Sequence, residues 1–173
     1  VPGVLPSRIT PKLCDILAAA TPIWIVAQFN HPRELSAECA AALGRLIDSG
    51  LPVVSQTVLL RGVNDDSDVL EDLFNGLVKL RVKPYYLFQP DLVQGTSHFR
   101  VPLVRSLAIV RELKEKISRL ALPVFAVDIP DGGGKVSLDK ESYPKDKDGN
   151  FILSSENGVV GMYPNEEKHR GKV

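Results

Sequence analysis

The sequence predicts an α/β fold in which parallel strands alternate with single helices, as they do in a barrel or in a doubly wound sheet. Four short apolar runs lie near residues 25, 56, 86 and 125 of the 173 residues. Each run is separated from the next by a stretch that is long enough for one helix and too long for a hairpin turn. Because 44% of the residues are apolar, the chain can also bury one sizeable core.

The individual strands and helices follow from local patterns along the chain. Strands are predicted where an apolar run is bounded by proline or polar residues, at 23–27, 51–60, 84–88 and 123–127. Helices are predicted where a capping residue or a proline precedes an apolar stripe of helical period. These helices begin at Thr10-Pro11, Ser36, Asp66 or Ser67, and Pro102, and Gly50 is placed to end the second one.

The composition changes after the last of these strands. Residues 137–150 are charged and broken by proline, and two short apolar runs follow at 151–153 and 159–162. The runs flank Asn157-Gly158, a pair that favours a tight turn, so they predict a small β-hairpin. Residues 166–173 are predicted to be a frayed tail.

Charge and cysteine content exclude several classes of protein. The 21 basic and 21 acidic residues cancel and are interspersed, so we expect neither a nucleic-acid partner nor a membrane partner. No apolar run is long enough to span a bilayer, which favours a cytoplasmic protein. Cys14 and Cys39 fall in separate helical patterns and are expected to be buried thiols. Because the chain begins at Val1 and not at Met, we expect it to be a piece of a longer protein.

Polar residues follow the predicted strands at their carboxyl ends. In a barrel and in a doubly wound sheet alike, these strand ends line the ligand site. The residues found there are Asn30, His31, Arg61, Asn64, Asp91, Asp128 and Lys135. The sequence therefore predicts a site at this edge of the sheet.

The run from Asp128 to Lys135 reads Asp-Ile-Pro-Asp-Gly-Gly-Gly-Lys and allows three interpretations. A phosphate-binding loop is rejected, because Val136 follows the lysine where Ser or Thr is needed and the earlier glycine is missing. A solvent loop is the plain interpretation of glycines flanked by charges. The third interpretation is a lysine presented to a carbonyl cofactor, with which its amine can form a Schiff base. The residues alone leave the solvent loop and the cofactor lysine open.

Seven stretches in a fixed order resemble the lysine 2,3-aminomutase family. They are Phe29-Asn30-His31-Pro32, residues 56–65, Lys83-Pro84-Tyr85-Tyr86, Asp91, Gly95, His98-Phe99-Arg100 and residues 128–135. The resemblance implies a radical S-adenosylmethionine enzyme that uses pyridoxal phosphate to move an amino group from C2 to C3 of an amino acid. It also implies the C-terminal part of a partial parallel (β/α) barrel, with βα units at 1–122. Residues 123–173 would then hold the pyridoxal lysine and a small β-containing extension.

The resemblance implies a role for four residues. Lys135 would form the Schiff base with pyridoxal phosphate, and Asp91 and Asp128 would hold the side-chain ammonium of the substrate lysine. Gln56 would lie near S-adenosylmethionine. The plain alternatives are turn or helix caps for the two aspartates and a satisfied strand amide for Gln56. For three further strand-end residues we expect structural roles, as a loop contact for His31 and as a turn network for Arg61 and Asn64.

One departure from the family limits what the chain can do alone. The family holds a 4Fe-4S cluster with a Cys-x-x-x-Cys-x-x-Cys motif, which is absent here, and Cys14 and Cys39 cannot replace it. We predict no metal ligand in this chain and expect it to be inactive by itself. Its expected partners are lysine and either the missing N-terminal part or further copies of the protein. The alternatives are an aminomutase acting on another amino acid or on protein-bound lysine, and a truncated non-catalytic binding or assembly module.

Overall fold

The computed structural model describes residues 2–20, 22–129, 134–140, 142–155 and 158–165. Three features of the sequence analysis lie outside these ranges. They are residues 130–133 of the glycine-rich run, Asn157 of the predicted turn, and the predicted tail at 166–173.

Within the described ranges the chain forms helices and strands in the predicted alternation. The helices are α1 (Pro11–Ala19), α2 (Ala37–Asp48), α3 (Ser67–Lys79) and α4 (Leu103–Lys116). The strands are β1 (Ile25–Gln28), β2 (Val53–Val58), β3 (Lys83–Phe88), β4 (Val124–Ile129), β5 (Gly134–Ser137), β6 (Phe151–Ser154) and β7 (Val160–Tyr163). All four predicted βα strands are present.

The first three helices begin where the capping residues predict. The side chains of Thr10, Ser36 and Asp66 each accept a hydrogen bond from a backbone amide in the first turn. These bonds satisfy amides that have no partner inside the helix. Asp66, and not Ser67, is the cap of α3. Gly50 follows α2 with φ of +81°, the left-handed conformation of a helix-ending glycine.

The main sheet has the strand order β1-β2-β3-β4-β5. Strands β1 to β4 are parallel and each lies beside its neighbour in sequence. A doubly wound sheet reverses its strand order at a switch point, whereas this sheet runs in one direction from β1 to β4. The parallel part therefore has the arrangement of a barrel segment, as the resemblance implies.

The two faces of this sheet differ in burial. Strand side chains alternate between faces, and those on the helix side are buried at 2% exposure or less: Ala27, Ser55, Leu87 and Val127. On the opposite face Val26 is 51% exposed and Val124 is 43% exposed. The helices therefore cover one face, whereas parts of the other face are exposed.

Strand β5 was not predicted. It pairs antiparallel with β4, so Lys135 lies in a strand, and the solvent-loop interpretation is wrong for Gly134 and Lys135. The sequence does carry a signal for it, because the apolar Val136 and Leu138 alternate with polar residues. In the structure both side chains are buried between exposed neighbours. This alternation is typical of a strand with one buried face, but it was obscured by the charged residues that follow.

The predicted C-terminal hairpin is present as β6 and β7. The two strands pair antiparallel, with Phe151 opposite Tyr163 and Ser154 opposite Val160. The hairpin packs against the main sheet, since a Cβ added to Gly161 would lie 2.0 Å from Cγ2 of Ile129 in β4. Tyr163 is buried, with 2% exposure.

Cys14 and Cys39 are free, buried thiols, as predicted. Burial raises the pKa of the Cys39 thiol. In the part of the chain that the structure describes, no helix combines the length and the apolar character needed to cross a bilayer.

Candidate active site

A cleft of about 440 Å³ lies at the carboxyl ends of β2, β3 and β4. It contains the four residues for which the resemblance implies a role in binding substrate or cofactor, namely Gln56, Asp91, Asp128 and Lys135. Its other lining residues are Val58, Leu60, Phe88, Gln89, Pro90, Val93, Thr96 and Phe99. The parallel sheet brings Gln56, Asp91 and Asp128 together because its strand ends meet at one edge. Strand β5 adds Lys135 through its antiparallel pairing with β4.

Asp128 and Lys135 form an ion pair across β4 and β5. They are directly opposite each other in the antiparallel register, and Lys135 Nζ lies 2.9 Å from Asp128 Oδ1. The Asp128 side chain is 49% exposed and the Lys135 side chain is 36% exposed. The bond therefore stays open to solvent and to exchange with another charged group.

Two aromatic rings of β3 support the Lys135 side chain. Its Nζ atom lies 4.1 Å from the ring centroid of Phe88 and 5.1 Å from that of Tyr86. The two rings are stacked, with centroids 5.1 Å apart and an angle of 21° between their planes. An ammonium is attracted to the face of an aromatic ring, so the amine is held over a flat apolar surface at the edge of the cleft.

Asp91 lies at the end of the neighbouring strand β3 and is exposed. Among the residues that the structure describes, no cation forms an ion pair with it. Since β3 and β4 are adjacent, Asp91 and Asp128 present their carboxylates to the same cleft from two strand ends. Gln56 reaches the cleft from β2, where it is paired in register with Tyr86.

A hydrogen-bond network behind the cleft was not predicted. Gln89 is fully buried, and its side-chain amide donates to the carbonyl of Val101 at 2.7 Å and to the hydroxyl of Tyr163 at 3.1 Å. The Tyr163 hydroxyl in turn donates to the carbonyl of Pro90 at 2.9 Å. Gln89 and Tyr163 are 74 positions apart, so no local pattern in the sequence indicates the contact.

Asn64, another strand-end residue, has the structural role that was expected. It is fully buried, and its amide donates to the carbonyls of Asn30 and Val58 while its Oδ1 accepts from the Leu60 amide. The side chain thereby ties the end of β1 to the turn that follows β2.

Arg61 and His31 are also structural. Arg61 donates through its guanidinium to the carbonyls of Ser97 and His98. His31 accepts from the Arg33 amide through Nδ1 and caps a short 3₁₀ turn. Neither residue belongs to the lining of the cleft.

A second cleft, of about 430 Å³, lies between α4 and the C-terminal extension. Four exposed cationic side chains line it, Arg111, Lys114, Lys140 and Lys145, together with Asp139. It holds none of the residues that the sequence analysis assigned to a site. The candidate active site is therefore the cleft at the strand ends.

No family model matches the chain, but its sequence is similar to that of known enzymes. It is 41% identical to L-lysine 2,3-aminomutase of Fusobacterium nucleatum over 168 residues, which are 97% of this chain and 40% of that protein. It is 42% identical to L-lysine 2,3-aminomutase of Clostridium subterminale over 162 residues, 94% of this chain and 39% of that protein. Glutamate 2,3-aminomutase of Clostridioides difficile is 41% identical over 134 residues, 78% of this chain and 32% of that protein.

A solved structure with similarity to this fold is a radical SAM methyltransferase from Sphaerobacter thermophilus, with a TM-score of 0.49 and 19% identity over 69% of this chain and 38% of that one. The chain spans about 40% of the length of the lysine aminomutases that it matches. The matching segment is the C-terminal part of those proteins. Over nearly its whole length the chain is therefore a homologue of the C-terminal part of the L-lysine 2,3-aminomutases, as its motifs predict.

Proposed function

We propose that the chain is the C-terminal part of an aminomutase that moves the amino group of L-lysine from C2 to C3 with pyridoxal phosphate as cofactor. The observation that carries this proposal is the grouping of Asp91, Asp128 and Lys135 in one cleft. The sequence similarity to named lysine aminomutases supports it independently. We use holoenzyme for this chain together with the upstream part found in its relatives and with the bound cofactors.

The surroundings of Lys135 fit pyridoxal phosphate. Its primary amine lies at the cleft, and the stacked rings of Phe88 and Tyr86 offer a flat apolar surface beside it. When bound, the cofactor supplies an aldehyde for the amine and a conjugated ring that stabilises unpaired electron density. In this proposal Lys135 attaches the cofactor covalently, and the aromatic rings orient it and keep water from one side.

The two carboxylates fit a substrate with a side-chain ammonium. Asp91 and Asp128 can each accept a charge-assisted hydrogen bond from the same ammonium. Lys135 is the one cationic residue among the described residues that line the cleft. A glutamate side chain would bring a third carboxylate to this group, and like charges at close range destabilise one another. The charge pattern thus favours lysine over glutamate, the substrate that one of the relatives is named for.

The remaining cofactors of the proposal are S-adenosylmethionine and a 4Fe-4S cluster. Gln56 lines the cleft on β2 and is the residue that we assign to the vicinity of S-adenosylmethionine. The cluster does not fit this chain, because Cys14 and Cys39 are buried in different helices, α1 and α2. The proposal therefore assigns no step of the reaction on this chain to the cluster.

The role of Lys135 can be tested on the chain itself. Pyridoxal phosphate is added, the Schiff base is reduced with borohydride, and the modified peptide is located by mass spectrometry. We expect the adduct on Lys135 and its loss in Lys135→Arg. Lys83 provides the matched control, because it is a second lysine at the opposite end of β3, and its amine, whose pKa burial lowers, donates to the carbonyls of Leu120 and Leu122.

The control variant Lys83→Arg should keep the adduct on Lys135. Modification of Lys83 in preference to Lys135, or equal labelling of wild type and Lys135→Arg, would contradict the assigned role. The chain would then be interpreted as a non-catalytic binding module.

A further inference from the structure

The position of Asp91 is determined by residues other than itself. Asp91 is exposed, and no ion pair with another described residue orients its carboxylate. The two residues that precede it, Gln89 and Pro90, are both buried. The contacts that hold Gln89 and Pro90 in place therefore determine where the Asp91 side chain enters the cleft.

Gln89 is held by three different parts of the fold. Its backbone amide donates to the carbonyl of Ala126 in β4 at 2.8 Å. Its side-chain amide donates one hydrogen bond to the carbonyl of Val101, in the loop before α4, and another to the hydroxyl of Tyr163 in β7. Both side-chain donors are thus satisfied in a buried environment, where such bonds are not weakened by competing water.

The Tyr163 hydroxyl connects both residues to the C-terminal hairpin. It accepts the bond from Gln89 at 3.1 Å and donates to the Pro90 carbonyl at 2.9 Å. Since the proline ring also restricts φ at position 90, little freedom remains in the backbone that leads to Asp91. We call this set of bonds among Tyr163, Gln89 and Pro90 the Tyr163 anchor.

The same hairpin also contacts the strand that carries the other carboxylate. Gly161 is packed so closely on Ile129 that a Cβ at position 161 would overlap its Cγ2 atom. Ile129 directly follows Asp128 in β4. One short hairpin therefore contacts the ends of both strands, β3 through Tyr163 and β4 through Gly161.

We propose that the C-terminal hairpin sets the relative position of the two carboxylates, and that Tyr163 is the positioning residue through which it places Asp91. This inference rests on the proposed function, in which Asp91 and Asp128 bind the ammonium of the substrate. By fixing the two carboxylates, the C-terminal extension would help to select substrates whose side chain ends in an amine at the matching length. Loss of the Tyr163 hydroxyl removes the donor to Pro90 and an acceptor for Gln89, while the aromatic ring still fills its place.

The first test measures how tightly the segment around Asp91 is held, and it does not depend on activity. Hydrogen exchange of the chain is followed in peptides covering residues 88–95 for wild type, Tyr163→Phe and Tyr143→Phe. Tyr143 is a matched control, because its hydroxyl lies in the same extension but bonds to the Lys140 amide and the Ser137 carbonyl. We expect faster exchange at 88–95 in Tyr163→Phe alone. Unchanged exchange there, or an equal increase over the whole chain, would overturn the proposal.

The second test uses the holoenzyme and a double-mutant cycle. We expect Tyr163→Phe to raise the KM for lysine by on the order of tenfold to a hundredfold, since small displacements of a positioning group have large effects. Labelling of Lys135 by pyridoxal phosphate should be unchanged. In the Asp91→Asn background, Tyr163→Phe should have no further effect, because it acts through Asp91.

The cycle distinguishes failure of the ammonium site from failure of the role of Tyr163. If Asp91→Asn leaves the KM for lysine unchanged, the proposed ammonium site itself fails. If Asp91→Asn raises it but Tyr163→Phe does not, or if the two effects are additive, the role of Tyr163 fails while the proposed function stands.

Discussion

Asp128 and Lys135 lie directly opposite each other on β4 and β5, with 2.9 Å between Oδ1 and Nζ. In the proposed function these two groups have different partners, the substrate ammonium and the cofactor aldehyde. In the structure each neutralises the other. Because this ion pair is partly exposed, a substrate ammonium at Asp128 would compete with Lys135 for the carboxylate.

Replacement of Asp128 by Asn should separate these two roles. The amide keeps the size of the side chain but removes its negative charge, which should weaken the bond to an ammonium by about 1.5–3 kcal/mol. We expect the KM of the holoenzyme for lysine to rise by about tenfold to a hundredfold, with labelling of Lys135 by pyridoxal phosphate retained. Asp139→Asn is the matched control, since this exposed carboxylate lines the other cleft. Normal lysine affinity in Asp128→Asn would exclude Asp128 as a substrate ligand.

Asn64 should be a stability residue and not a catalytic one. Its truncation to Ala would leave two carbonyls and one amide without their partner at the end of β1 and β2. Unpaired buried polar groups destabilise strongly, so we expect Asn64→Ala to lower the free energy of unfolding by about 2–3 kcal/mol. Urea denaturation followed by circular dichroism measures this. A loss below about 0.5 kcal/mol would show that water replaces the network.

Two Gly→Ala substitutions should act in opposite directions. At Gly161 the added methyl overlaps Ile129, so Gly161→Ala should loosen the C-terminal hairpin and lower thermal stability. At Gly44 in α2 the nearest atom to an added Cβ is 3.9 Å away. Gly44→Ala should therefore stabilise by up to about 1 kcal/mol through helix propensity. Thermal unfolding of both variants tests this, and equal effects of the two would contradict the close contact of Gly161.

The turn at Asp146 should make the extension sensitive to acid. Burial by itself raises the pKa of the Asp146 carboxyl, but hydrogen bonds from the Asn150 side chain and from the amides of Asn150, Asp148 and Gly149 together lower it. A carboxyl whose pKa is lower in the folded state stabilises at pH values above its unfolded pKa, about 3.9 for Asp. That contribution is lost as the pH falls through the folded value.

The Tm difference between wild type and Asp146→Ala should accordingly be constant from neutral pH down to about pH 5 and should shrink below about pH 4. Thermal unfolding across this range measures it, with Asp139→Asn as a control for a carboxylate outside the turn. A difference that persists unchanged at the lowest pH would show that the turn does not depend on the ionised carboxylate.

The sequence by itself determined the βα alternation, the helix starts at Thr10 and Ser36, the C-terminal hairpin and the strand ends that carry Asp91 and Asp128. These features depend on signals within a few residues of each other, such as a cap and the turn it satisfies. The tertiary structure decided that Lys135 lies in an antiparallel strand opposite Asp128, and that Tyr163 anchors Gln89 from 74 positions away. The pairing of β5 with β4 and the choice of a partner for a buried hydroxyl depend on how distant segments pack. No local periodicity encodes that packing.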